Sequence, residues 1–236
     1  MRSVVRKQMF GNQPVLYAGY TAWRTVVEFS YEQDLFIGET WGRGCRFGII
    51  PMSRGRVYWF AAANAAEGER DTEGQTKDFL ARLFRGWHEP IEALVAAATE
   101  GSILRNDIYD MEPLPRWSQG RVVLLGDAAH PMTPNPGQGA CQAIEDAVVL
   151  AVCLRKGADV DEALREYQLR RIPRTREVVL RSRRLGVVAQ FENPVLCWMR
   201  NWAMRSVPRR MTARQMEAVL GYEILSASER ELIRRK

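Results

Sequence analysis

The residues best placed to do chemistry lie within 121–154, RVVLLGDAAHPMTPNPGQGACQAIEDAVVLAVCL. Gly126-Asp127 puts a carboxylate directly after the apolar run Val122-Val123-Leu124-Leu125, which reads as a buried strand. In open α/β sheets ligands bind at the carboxyl ends of strands, so Asp127 stands where an acid can accept a hydrogen bond from a ligand hydroxyl. A loop with Pro131, Pro134 and Pro136 then leads to Gly137-Gln138-Gly139 and a helix start. The apolar positions Ala140, Ala143, Ile144, Ala147, Val148 and Ala151 follow the spacing of one helical face, expected to lie close against a neighbour. Glycines at the helix start leave the first backbone N–H groups uncovered, and the positive end of the helix dipole favours an electron-rich ligand there. One acid for a hydroxyl and one helix end for a developing anion predict a cofactor site.

Each feature also has a plain structural reading. Asp127 reads equally as a capping acid, and Gly137 and Gly139 as residues that merely allow a tight turn. His130, three residues after Asp127, suggests metal or acid–base chemistry, but no third ligand is in sight, and a hydrogen bond that fixes the loop is the expected role. Arg24 reads either as facing a substrate or as part of a surface ion pair.

The elements that must position these residues follow from periodicity and punctuation. Residues 2–10 read as the end of a helix closed by Gly11. Sheet is expected across 15–63, with strands at 15–30, 45–51 and 57–63 and a turn at Ser53-Arg54-Gly55. The piece 34–44 is ambiguous and includes a short strand. Helices are expected at 76–87 and 89–98, divided near His88-Glu89-Pro90, then a strand at 103–109 and a loop at 112–120. After the motif helix, 161–190 reads as helical, bent or broken near Pro173, and the tail beyond Asn193 is punctuated by Pro194 and Pro208.

With 236 residues, 46% hydrophobic and 26% charged, the chain has the composition of a globular protein with one or two cores. No run approaches the roughly 20 apolar residues of a membrane span, and the start MRSVVRKQMF lacks the apolar core of a secretory signal. The four cysteines, Cys45, Cys141, Cys153 and Cys197, form no C-x-x-C, and there are only two histidines; reduced, buried thiols, no metal site and a cytoplasmic location are expected. No Gly-x-Ser-x-Gly supports hydrolase chemistry. Residues 165–236 carry 17 basic and 7 acidic side chains, a net of +10. Solvated helix faces are the expected reading. A basic module that contacts an anionic surface is the alternative, with peripheral membrane contact favoured over nucleic acid, which is not expected as a partner.

The stretch from Gly126-Asp127 through Pro134 and Gly139 resembles the later part of the flavin site in FAD-dependent aromatic hydroxylases, the family that includes zeaxanthin-epoxidase-like monooxygenases. Further matches lie in family order. Arg2-Ser3-Val4-Val5-Arg6 resembles the tail of the middle fingerprint, and 17–24, YAGYTAWR, the strand opening the substrate domain. Residues 103–110, ILRNDIYD, resemble the strand that returns to the flavin domain, and 167–174 with Ser182-Arg183-Arg184 and Gly186 the helix that follows.

The resemblance implies an α/β (α+β) chain: part of an FAD-binding three-layer α/β domain, a substrate domain with a mostly antiparallel sheet, and C-terminal helices. Residues 1–12 would be the tail of an FAD-domain helix, 13–110 the substrate domain, 111–190 the closing segment of the FAD domain and 191–236 a basic helical tail. It also implies FAD as cofactor, NAD(P)H as reductant, and O2 with an aromatic or unsaturated small molecule as substrates. In that family a flavin C4a-hydroperoxide delivers one oxygen atom by hydroxylation or epoxidation. The implied cofactor-binding residues are Gly126, Asp127, Pro134, Gly137, Gln138, Gly139, Ala140 and Arg6. Asp127 would accept from a ribityl hydroxyl, the N–H groups of 137–140 would face the pyrimidine edge, and Pro134 would pack beside the ring system. Arg6 would sit near the cofactor or brace the fingerprint; no catalytic side chain is assigned.

The chain departs from the family in two respects, the first being that the Asp-Gly of the middle fingerprint is missing before Arg2-Ser3. The Gly-x-Gly-x-x-Gly unit that holds the ADP half of FAD occurs nowhere in it, and Gly137-Gln138-Gly139-Ala140-Cys141-Gln142 fails at its last position. The expectation is the C-terminal portion of a flavoprotein, with a separate N-terminal FAD-binding fragment as a candidate partner and exposed apolar surface where strands lack neighbours. The alternative is a non-catalytic remnant or partner subunit of a split flavoprotein.

Overall fold

The computed structural model describes residues 2–31, 37–208 and 221–234. The chain divides into two compact units, one comprising 1–16, 109–186 and 199–236, the other 17–108 and 187–198.

The second unit is built on a five-stranded sheet of β1 (Val15–Glu28), β2 (Gly38–Trp41), β3 (Cys45–Met52), β4 (Arg56–Asn64) and β5 (Leu104–Met111). The order is β2-β3-β4-β1-β5, antiparallel at β2–β3, β3–β4 and β4–β1. The reversal between β3 and β4 runs through Arg54 and Gly55, both with φ of +65°. Alternation then assigns the faces. Cys45, Phe47 and Ile49 of β3 join Trp23, Trp59 and Ala61 in one core. It is closed by Leu80 of α2 (Thr76–Leu83), Phe84, and Ile91, Leu94 and Val95 of α3 (Ile91–Ala97). Phe47 stacks on Trp59 at 5.2 Å and meets Phe84 edge-on at 5.1 Å. Tyr20, Ala22, Ala62 and Ile108 form a smaller cluster. Arg24 is exposed, and its Nη2 donates to Asn106 Oδ1 at 2.6 Å, a hydrogen bond to a neutral side chain. Of the ambiguous piece 34–44, residues 34–36 lie outside the described residues, and β2 is the expected short strand.

The first unit holds α1 (Val4–Phe10), the two-stranded ribbon of β6 (Ser118–Gln119) and β7 (Val122–Val123), α4 (Gly139–Lys156), α5 (Val160–Ala189) and α7 (Ala227–Arg234). α1 starts at Ser3, whose Oγ accepts from the Arg6 N–H at 3.1 Å, and ends at Gly11 with φ of +73°. Leu114, Trp117, Leu124, Val149, Cys153, Ala163 and Tyr167 form the core. Between α5 and α7 in sequence comes α6 (Pro194–Ser206), with proline at its first position, where no N–H is needed. Residues 209–220 of the expected C-terminal tail lie outside the described residues.

Four expectations are corrected. The apolar run 122–125 is not a buried strand: only Val122 and Val123 pair, antiparallel to β6, and Val122 and Leu125 are exposed while Leu124 is buried. Four apolar residues suggest a strand covered on both faces, but among the described residues a two-residue ribbon supplies its only ladder. The face of α4 expected to pack is largely outward: Ala140, Ile144, Ala147 and Ala151 are exposed, Ala143 and Val148 are half-buried with Ala143 close to Gly126, and Gln142, Asp146, Val149, Val152 and Cys153 are buried. Of the bend or break expected near Pro173, the break is not found: helix α5 is continuous there, with the Thr175 hydroxyl donating to the Arg171 carbonyl at 2.9 Å. Cys141 is exposed, unlike the other three cysteines.

Candidate cofactor site

The inward polar face of α4 makes sense once the loop in front of it is followed. Leu124 passes the chain into a 3₁₀ turn, Gly126–Ala128, that only a residue tolerant of left-handed backbone can open; Gly126 has φ of +58°. Its N–H donates to Asp146 Oδ2 at 2.9 Å. The same carboxylate oxygen meets His130 Nε2 at 2.5 Å, and Arg171 Nε donates to the other oxygen at 2.7 Å. Arg171 extends this knot to Glu145 at 2.6 Å and to the Gln142 side chain at 2.8 Å. Asp146, His130 and Arg171 are all buried. Burial works to raise the pKa of Asp146, but His130, the Gly126 N–H and Arg171 together hold it below its ordinary value. A buried carboxylate this well satisfied is an anchor.

Helix α5 fixes both ends of the loop. Near its start, the Tyr167 hydroxyl donates to the Leu124 carbonyl at 3.2 Å, and burial, reinforced by Asp146, raises its pKa and keeps it a neutral donor. Gln168 Oε1 accepts from the N–H groups of Trp117 and Ser118. Farther along, Ser182 and Thr133 share a hydroxyl contact of 2.6 Å, and Asn135 Nδ2 donates to the Ser182 carbonyl at 2.8 Å. Thr133, Asn135 and Ser182 are buried, so the proline loop is held from beneath.

The expected ligand-facing residues lie on the open side. Asp127 is exposed, and among the described residues its carboxylate has no hydrogen-bond partner. Pro134, Gly137 and Ala140 are exposed, and Gly126 and Gln138 are buried. Gly137, at φ +65°, has open space where a Cβ would stand, and at Gly139 the nearest atom is Met132 Cγ at 3.9 Å. α4 begins behind Gln138 with no side-chain cap, so its first N–H groups have no partner within the helix. One detail differs from expectation: the Gly137 N–H is used inside the loop, donating to the Pro134 carbonyl at 2.9 Å.

Arg6 reaches the same turn. Its Nη1 donates to the Ala128 carbonyl at 3.2 Å and lies 3.4 Å from that of Ala129, so it braces the residues directly after Asp127. Its Nε and Nη2 are buried without partners among the described residues. The sequence reading missed Asp146, Arg171, Thr133 and Asn135. The acid pair Glu145-Asp146 within an otherwise largely apolar helix pattern was the available signal for Asp146; Arg171, inside a basic run, gave none.

Among the described residues, no group of three His, Cys, Asp or Glu is placed to hold a metal ion, and no helix is long and apolar enough to cross a membrane.

Comparison with known proteins places this geometry in context. Residues 2–182 match the family model described as FAD binding domain. The aurachin C monooxygenase/isomerase of Stigmatella aurantiaca is 47% identical over 207 residues, covering 87% of this chain and 54% of that protein. The FAD-dependent urate hydroxylase of Klebsiella pneumoniae is 40% identical over 187 residues, 77% of this chain and 48% of that protein. The crystal structure of Klebsiella pneumoniae HpxO complexed with FAD and uric acid superposes with a TM-score of 0.84 at 33% identity, covering 92% of this chain and 57% of that one. The chain thus spans about half the length of the curated relatives it matches.

Proposed function

The chain belongs to the FAD-binding domain family, and from that premise we propose that it carries the flavin-closing and substrate portions of an FAD-dependent monooxygenase. The observation that carries the reading is the division of labour in 126–140: buried side chains hold the loop rigidly from behind, while Asp127 and the uncapped start of α4 are left open. The residues fit a flavin by shape and by chemistry. Gly137 and Gly139 leave the backbone approachable where a Cβ would stand in the way. An exposed acid suits a ribityl hydroxyl, and helical N–H groups suit the electron-rich pyrimidine edge.

When bound, FAD supplies the redox chemistry that activates O2 for transfer of one oxygen atom to an aromatic or unsaturated substrate. The work of this chain's residues is positional and electrostatic. Asp127 orients the sugar chain by accepting its hydroxyl proton in a hydrogen bond. The N–H groups of Gly139 and Ala140 stabilise negative charge, as preorganised donors do without reorganising. Pro134, which has no N–H, shapes the site beside the ring, and Gln138 sets the start of α4. Arg6 holds the Asp127 turn through the Ala128 and Ala129 carbonyls.

NAD(P)H is the proposed reductant. A polypeptide carrying the ADP-binding unit is the proposed partner, a reading supported by the chain's spanning about half the length of its curated relatives. The test supplies the upstream half of the aurachin C enzyme in trans, with FAD, NAD(P)H, a hydroxylated N-heterocycle and 18O2. One labelled oxygen atom in the product supports the reading. NAD(P)H oxidation that yields only hydrogen peroxide across a panel of aromatic and alkene substrates counts against it.

A further inference from the structure

The second unit carries a cavity that lies outside the residues of the flavin reading. It has a volume of about 330 Å3 and is lined from β1, the end of β4, the 69–75 segment, α2 and β5; small-molecule sites begin at about 300 Å3. One wall is Trp23 of β1, 2% exposed, with the Phe79 ring of α2 centred 5.4 Å away. The Arg105 guanidinium of β5 stands over the indole at 5.6 Å.

This wall is held in place. Trp23 Nε1 donates to Asp71 Oδ2 at 2.6 Å, and the Thr76 hydroxyl donates to the same oxygen at 3.0 Å. Asp71 Oδ1 lies 3.2 Å from Arg105 Nε, and Asp107 accepts from Arg105 Nη1 at 3.4 Å. Both oxygens of Asp71 are thus occupied within the wall. The second acid of the lining, Glu69, accepts from the Ala66 N–H at 3.2 Å. The cations are not matched in the same way. Arg105 Nε is buried and completes no hydrogen bond among the described residues. Arg70 and Arg82 both line the cavity, and among the described residues their side chains have neither a hydrogen bond nor an ion pair.

Three guanidinium groups, two of them unpaired, set the sign of a ligand here as negative. A guanidinium donates in a planar fork to paired oxygens, and a phosphate monoester presents three acceptor oxygens with a charge of about −1.5 to −2 at neutral pH. The aromatic wall beside the arginines offers a seat for an apolar ring. We propose that this cavity binds a small phosphate monoester carried on an aromatic body, with its oxygens on Arg70, Arg82 and Arg105 and its ring against Phe79 and Trp23. A carboxylate, with two oxygens and one charge, leaves a guanidinium unmatched. Inorganic phosphate leaves the aromatic wall empty.

The proposal does not depend on the flavin site, since none of these residues belongs to 126–140, and its test uses no flavin. The full chain is titrated calorimetrically with phenyl phosphate, inorganic phosphate and benzoate, beside the variants Arg70→Gln/Arg82→Gln, Phe79→Ala and, as a control, Arg24→Gln. The replaced side chains are exposed, and far-UV circular dichroism and melting confirm that each variant folds. Expected are saturable binding of phenyl phosphate with a rise in melting temperature, and weaker binding of inorganic phosphate and benzoate. The double arginine variant should bind phenyl phosphate about tenfold or more weakly, as for lost hydrogen bonds to a charged group. Phe79→Ala should weaken phenyl phosphate and leave inorganic phosphate unchanged, and Arg24→Gln should bind as the wild-type chain does. No saturable binding by the folded wild-type chain, or undiminished binding by the double arginine variant, overturns the proposal. Benzoate or inorganic phosphate bound as tightly as phenyl phosphate, or an equal loss in Arg24→Gln, overturns it too.

Discussion

His130 Nε2 and Asp146 Oδ2 lie 2.5 Å apart with both side chains buried, and this contact joins the Gly126-Asp127 turn to the middle of α4. The carboxylate also receives the Gly126 N–H and the Arg171 guanidinium, so one acid sets the relation of loop, α4 and α5.

Replacing that acid should therefore be costly. Asp146→Ala leaves Arg171 buried beside an unfilled site, and removal of one partner from a buried ion pair costs about 3–5 kcal/mol. Asp146→Asn keeps an acceptor and should cost less. Chemical denaturation of the two variants checks both the magnitude and the order; a loss below about 1 kcal/mol in Asp146→Ala, within the range of an ordinary surface pair, would show that the knot is not an anchor.

Acid should unfasten the same unit. Asp146 has a depressed pKa in the folded chain, so its contribution is complete above the ordinary carboxylate range and is lost as pH falls through the lower, folded value. Glu229 behaves alike. Hydrogen bonds from Arg170 and Lys156 lead the causes that hold it at about 2, against an ordinary 4.5, so its contribution drains between those two values. Melting temperature measured from neutral pH down to about 2 should fall below about 4.5, and Glu229→Gln should flatten part of that slope. An unchanged slope in the variant would remove Glu229 from the account.

In the second unit, a Cβ on Gly48 would stand 2.1 Å from the Phe60 ring. Gly48→Ala should destabilise by about 1–3 kcal/mol, the range for overpacking a filled site. Phe60→Leu should recover part of that loss when combined with it, because neighbours in contact do not add. Strict additivity in the double variant would contradict the packing described.

Gly126 combines a φ of +58° with a would-be Cβ 3.1 Å from Ala143 Cβ. Gly126→Ala should cost about 1–2 kcal/mol from the left-handed backbone alone, visible as a lower melting temperature.

Much of this was legible in the sequence where local rules govern. The glycine-opened start of α4, the Gly11 stop and the Arg54-Gly55 reversal depend on backbone sterics, and the structure follows them. His130 was expected to fix its loop by a hydrogen bond, and it does so through Asp146. The orientation of α4 was not legible. Periodicity gives the face that is apolar, but which face turns inward depends on what lies opposite, and Arg171 and His130 draw Gln142, Glu145 and Asp146 toward them. Arg171 itself read as one more solvated charge, because a basic run has the same pattern whether or not one member meets a buried acid.

The central claim is that 126–140 forms the flavin half-site, and a titration of FAD into the purified chain tests it most directly, following flavin fluorescence and melting temperature together. The account predicts saturable binding with a rise in melting temperature for the wild-type chain. Binding should weaken by about tenfold or more in Asp127→Ala, as expected for loss of a charged acceptor worth about 1.5–3 kcal/mol. A well-folded chain that shows no saturable binding even with the ADP-binding unit supplied in trans, or one that binds FAD equally with and without the Asp127 carboxylate, would contradict it.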